Sequence, residues 1–177
     1  LIRRYSSSIR SSDETRRAFV NFFESEGHMQ VPSSKVVRTN VRRADLTNFF
    51  INSGIGQYED ALSASPRWVS RLVTMQKCIR SPSQDIGSDL RELSFFEMMS
   101  TVAFNNAYGK ETACKLAWKL LTEVYGLPKD RLYVTYFGGN SEWGIAEDTE
   151  TREIWRSMGL DDSRILPFVG ENFWESG

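Results

Sequence analysis

Chemistry in this chain can begin at one arginine. Arg80 closes the run Cys78-Ile79-Arg80, a polar stretch follows, and the chain turns apolar again at Phe95-Phe96-Glu97-Met98. A guanidinium at the end of a strand is a rigid, permanently charged fork matched to a phosphate or a carboxylate. A phenylalanine on a neighbouring strand gives a flat face for a nucleobase, and a methionine fills in around it. A hairpin would bring Arg80, Phe96 and Met98 to one surface, and such a surface could hold a nucleotide. The same residues also describe the edge of an ordinary core, and the pattern alone does not separate the two.

Other chemistries lack their parts. There is one histidine, His28, and no Cys-x-x-Cys pair, so no metal site is expected. His28 follows Gly27 at a helix end, where it should cap or face solvent. Cys78 and Cys114 lie far apart in apolar settings and read as buried reduced thiols. No Gly-rich phosphate loop is present, and a catalytic triad needs a histidine beside a nucleophile elbow that is not there. Lysine and arginine total 22 against 23 acidic residues, a formal net charge of −1. A module gripping nucleic acid nonspecifically should carry a basic stripe, and here the basic residues are scattered apart from short pairs such as Arg42-Arg43 and the first residues. No apolar run is long enough to cross a bilayer, so no membrane partner is expected.

The elements that must position these residues follow from local pattern. The 177 residues suit one domain, and 40% hydrophobic content can build its core without disulfides or metal. A helix should start near Asp13, with Ser11 and Glu14 forming a capping box and Gly27 ending it. Its apolar face is Ala18, Phe19, Phe22 and Phe23. Val31-Pro32-Ser33-Ser34 reads as extended and turn-forming. Leu46 to Ile51 is β-prone, and Asn52-Ser53-Gly54 breaks it. Val69 to Ile79 and Leu93 to Phe104 are strands joined through the loop Ser81 to Asp89 as a hairpin. A helix spans Glu111 to Tyr125, with Ala113, Leu116, Ala117, Leu120, Leu121 and Val124 at helical spacing. A strand follows from Leu132 to Phe137, then a helix from Asp148 to Met158 burying Ile154 and Trp155, then a short strand from Ile165 to Val169. Trp68, Trp118 and Trp155 read as core. The fold class is α+β, built on an antiparallel sheet rather than a doubly wound parallel one.

The first dozen residues, LIRRYSSSIRSS, are arginine- and serine-rich with no acid before Asp13. That composition marks residues 1–12 as a mitochondrial transit segment or a disordered tail, with 13–177 as the folded part. The chain opens on Leu1, and a fragment is expected at that end.

From about Thr15 onward the chain resembles the alanyl-tRNA synthetases, mitochondrial type. AFVNFF and GHMQVPSS look like that family's start, and TNFFINSGIGQYED resembles its motif 1 region. MQKCIR and SFFEM resemble its motif 2 strands, and ETACKLAWKLLTEVYGLPKDRLYV the helix-to-strand passage beyond. YFGGN, ETREIWRSMGL and ENFWESG look most like the mitochondrial branch. The resemblance implies a class II synthetase fold, an antiparallel sheet flanked by helices. It implies an alanine–tRNA ligase of the mitochondrial matrix, which forms alanyl-adenylate from alanine and ATP with Mg and passes alanine to alanine tRNA. Residue by residue, Arg80 matches the arginine holding the ATP α-phosphate and the substrate carboxylate. Phe96 matches the phenylalanine stacking on adenine, with Met98 beside it, and Trp174 a tryptophan lining the alanine pocket. It further implies that motif 3, the tRNA-recognition parts and the editing domain lie beyond Gly177. The family's zinc belongs to that editing domain, and this stretch alone should be inactive.

Four departures from the family pattern stand out. The family's Gly-Gly, basic position and Asn-Asp-Leu-Glu after the arginine are replaced by the shorter SPSQDIGSDL. Its paired histidines are Glu92-Leu93, its Gly-Asn is Ser100-Thr101, and its lysine is Glu59 after Gln57-Tyr58. These are also the changes that a degenerate, non-catalytic paralogue serving as a binding or scaffold protein would carry.

Overall fold

The structure is a computed structural model that describes residues 11–37, 49–58, 70–80 and 93–173. These residues group into two compact units, one ending at Ala107 and the other starting at Tyr108.

The first unit opens with helix α1, Ser12–Ser25. Ser11 caps it as the sequence predicts: the Glu14 amide donates to Ser11 Oγ at 3.2 Å, and the Ser11 amide to Glu14 Oε2 at 2.7 Å. Two otherwise unpaired amides are satisfied at once. Phe19, Val20, Phe22 and Phe23 are buried, each full burial contributing about 1.5–3 kcal/mol. Gly27, at φ +84°, turns the chain out of the helix, a backbone that a side chain would strain.

His28 differs from expectation. It does help close the helix, since its amide donates to Phe23 O at 2.9 Å and its Nδ1 lies 3.1 Å from the same carbonyl. It does not face solvent, being 4% exposed and packed edge-on against Phe23. Burial lowers its pKa from the ordinary 6.5. The unfolded chain therefore takes up a proton that the folded one resists. Stability should fall as pH drops below about 6.5 and level off beneath the lowered folded value. His28 is the single histidine, so urea unfolding of this chain at about pH 7.5 and about pH 5.5 isolates it. A His28→Gln variant should lose most of the slope.

Strand β1, Met29–Val31, pairs in parallel with β2, Arg71–Ile79, and β2 pairs antiparallel with β3, Phe95–Ala103. The hairpin strands fall where the sequence places them. Side chains alternate across a sheet, and α1 covers the face carrying Glu97, with Arg16 Nε donating to Glu97 Oε2 at 2.6 Å. On the other face Leu72 and Phe104 pack with Tyr58, and Val31 and Val102 close around them. Of the β-prone stretch Leu46 to Ile51, residues 46–48 lie outside the described residues. Phe50 makes an isolated bridge to Val37, and Ile51 donates its amide to Val36 O at 2.8 Å and accepts from the Ile79 amide at 2.9 Å.

The second unit runs helix α2 (Lys110–Lys119), strand β4 (Val134–Phe137), helix α3 (Thr149–Ser157) and strand β5 (Ile165–Phe168). The predicted single helix to Tyr125 is α-helical only to Lys119, and Leu120–Val124 widens into a π-helical turn. There the Tyr125 amide reaches Leu120 O at 2.8 Å before Gly126, at φ +67°, ends the run. Ala113 and Ala117 point outward. Trp118 and the half-buried Cys114 instead meet the core of Tyr136, Trp155 and Ile165. Asp148 caps α3 by accepting from the Thr151 amide at 3.1 Å, and Ile154 and Trp155 are buried as expected.

The class is α+β, but the strand pairings are mixed. Among the described strands β2–β3 is antiparallel, while β1–β2 and β4–β5 are parallel. Each parallel pair is joined by a connection long enough for a crossover, 32–70 in one case and 138–164 with α3 in the other, and parallel strands require one.

Candidate functional site

The hairpin brings together three of the four residues singled out from sequence. Its register pairs Ile79 with Phe95, Cys78 with Phe96 and Gln76 with Met98. Alternation puts Thr74, Gln76 and Cys78 of β2 on the same face as Phe96, Met98 and Ser100 of β3. Arg80 continues that parity one step past β2. Its amide still donates to Ser94 O, at 2.9 Å, so the strand end is held while its side chain is exposed. The guanidinium carbon sits 5.1 Å from the Phe96 ring centroid, within range of a cation–π attraction. Its Nε donates to Asn52 O at 3.0 Å. A fixed cation thus lies beside a partly exposed aromatic face, with Met98 two residues further along. That arrangement can receive a flat base and an adjoining anion.

Cys78 takes no part in covalent chemistry here. It has no exposed surface, and burial pushes its thiol pKa up, against a weaker pull from the Arg80 cation. It stays protonated and inert.

The residues that hold this face in place were not legible as a group. Gln76 is completely buried. Its Oε1 accepts from the Ser34 amide at 2.9 Å, and its Nε2 donates to Ser34 O at 3.2 Å and Lys77 O at 2.7 Å. Gln57 donates to Thr74 Oγ1 at 3.0 Å. The Gly54 amide points at Met98 Sδ, 3.1 Å away. The segment 51–58 is therefore tied to β2 at both ends and rests on β3 between them. One signal was available: Gln76 is a polar residue at an inward period-two position of an otherwise buried strand.

Trp174 lies outside the described residues, as do Trp68, the loop Ser81 to Asp89, Glu59, Glu92 and the segment 1–10. Of the departures from the family pattern, Leu93 and the Ser100-Thr101 pair are described. Among the described residues no grouping of three His, Cys, Asp or Glu could hold a metal ion, and no helix is long and apolar enough to cross a membrane.

The class of this α+β chain, with an arginine and a phenylalanine on its β2–β3 face, is defined by comparison with known proteins. Residues 14–177 match the family model described as tRNA synthetases class II (A), and the chain belongs to that family. It is 44% identical over 172 residues to "Alanine--tRNA ligase, mitochondrial" of Caenorhabditis elegans, covering 94% of this chain and 21% of that protein. To the mitochondrial alanine–tRNA ligase of Homo sapiens it is 42% identical, covering 92% of this chain and 17% of that protein. The alanine–tRNA ligase of Schizosaccharomyces pombe is 40% identical, with 94% and 18% covered. The chain thus spans about a fifth of the length of these relatives.

Proposed function

We propose that this chain supplies the first part of the adenylation site of an alanine–tRNA ligase acting in the mitochondrial matrix. The observation that carries the reading is Arg80 poised over Phe96 on the β2–β3 face, in a chain 42–44% identical to ligases of that name.

The reaction asks the protein for alignment more than for reactive groups. An oxygen of the alanine carboxylate attacks the α-phosphorus of ATP, the bond to the β-phosphate oxygen breaks, and pyrophosphate leaves. A hydroxyl at the 3′ end of alanine tRNA then attacks the carbonyl carbon of the adenylate, and AMP departs. The nucleophiles come from the substrates, so the missing triad is no objection. Arg80 would neutralise charge gathering on the α-phosphate and hold the two anions in line. Phe96 would stack on adenine, with Met98 filling the space at its edge. Trp174 would wall the alanine side chain, since excluding bulk discriminates better than grading a methyl group.

The described residues do not by themselves form a magnesium site. Magnesium would arrive on the ATP phosphates, which are its usual ligands together with water, and no step is assigned to it. Zinc would belong to an editing domain elsewhere in such a ligase. The arginine- and serine-rich first residues would direct import, with the catalytic domain beginning at the capped start of α1, Ser11 and Ser12.

Two experiments bear on this reading. The protein expressed from its complete reading frame should charge alanine tRNA with labelled alanine. A Phe96→Ala variant should raise the KM for ATP about tenfold, from the loss of about 1–3 kcal/mol of stacking, with little change in the KM for alanine. An unchanged ATP KM would remove Phe96 from the adenine site.

A further inference from the structure

Arg80 takes its aim from a carbonyl, and that carbonyl belongs to the segment 51–58 rather than to the hairpin. Asn52 O accepts from Arg80 Nε at 3.0 Å, one residue after Ile51 O accepts from the Ile79 amide. What fixes the height of this segment above the sheet is Gly54. A Cβ built there would lie 1.9 Å from Ser100 Oγ, 2.6 Å from Ser100 Cβ and 3.6 Å from Met98 Cγ. Gly54 is not among the glycines with positive φ, so its backbone would accept alanine. Space alone forbids it. The far end of the segment is set by Gln57, whose Nε2 bonds Thr74 on β2.

We infer that Gly54, Ser100 and Gln57 are positioning residues for Arg80: the contact of Gly54 with Ser100 sets where the Asn52 carbonyl holds the guanidinium. This rests on the adenylation reading given above.

The test uses the protein from its complete reading frame, with alanine-dependent ATP–pyrophosphate exchange as the assay. In Gly54→Ala, Ser100 Oγ can rotate away but Ser100 Cβ cannot, so the segment must lift by roughly 1 Å. Misplacement on that scale costs up to about 10²-fold. The expected result is a KM for ATP raised about tenfold or more. KM does not depend on the fraction of molecules folded, so a merely structural role would leave it alone. In the double variant Gly54→Ala/Ser100→Gly both clashing atoms are gone, the nearest remaining neighbour is Met98 Cγ at ordinary contact, and the ATP KM should return to within about threefold of the parent. A Gly54→Ala protein with parental KM and only lowered Tm overturns the inference, and so does a double variant that fails to recover. Should Gly54→Ala not fold, Gln57→Ala is read the same way: a raised ATP KM supports the inference and a parental one overturns it. A parent protein with no exchange at all is a different result, because the adenylation reading then fails and takes this inference with it.

Discussion

Arg80→Ala is expected to lower alanine-dependent ATP–pyrophosphate exchange by about 10²–10³-fold, the effect of deleting one preorganised donor at a developing charge. The fold should hardly notice. Arg80 is exposed, so unfolding free energy should stay within about 0.5 kcal/mol of the parent. That separation of activity from stability is the signature to look for in paired kinetics and urea denaturation. Arg80→Lys should recover only a part of the loss. It keeps the charge but not the planar fork that can meet Asn52 O on one side and an anion on the other. Exchange near the parental rate in Arg80→Ala would remove the residue from the reaction.

Gln76→Leu is expected to do the reverse, striking the fold first. The side chain has no exposed surface and is bonded to both backbone groups of Ser34 and to Lys77 O. Leucine nearly fills the volume but leaves those groups to find other partners, at a cost of about 2–3 kcal/mol. Thermal and urea unfolding followed by circular dichroism would read this directly. A loss under about 0.5 kcal/mol would mean that water or a shifted backbone replaces the glutamine without difficulty.

What could be read from sequence was what is set locally. The Ser11–Glu14 box, the stop at Gly27, the Asp148-capped helix and the β2–β3 hairpin each depend on residues a few positions apart, and each is found where the pattern puts it. The grouping of Arg80 with Phe96 and Met98 followed, because strand parity and a hairpin are enough to predict a shared face. Contacts across long separations stayed hidden. Nothing near Gln76 announces Ser34, and nothing near Gly54 announces Ser100, since those meetings depend on where 51–58 lies across the sheet. The parallel pairing of β1 and β2 is of the same kind. Alternating hydrophobicity tells which face of a strand is buried, not the direction of its neighbour. For His28 the capping role held and the solvent alternative did not: a residue just past a helix stop commonly faces water, but here the turn folds it back onto Phe23. The widening of the helix at Leu120 adds one residue to a single turn, too little to disturb the apolar spacing over the rest of the helix.

The measurement that bears most directly on the central claim is ATP–pyrophosphate exchange by the protein from its complete reading frame, with alanine, serine and glycine compared. Exchange driven by alanine well above that with serine or glycine is the predicted result, and it would mean that Arg80 and Phe96 belong to a working adenylation site despite the short SPSQDIGSDL stretch. No exchange from a folded, soluble protein would contradict the account, and the β2–β3 face would then belong to a synthetase relative that has kept the fold and lost the reaction.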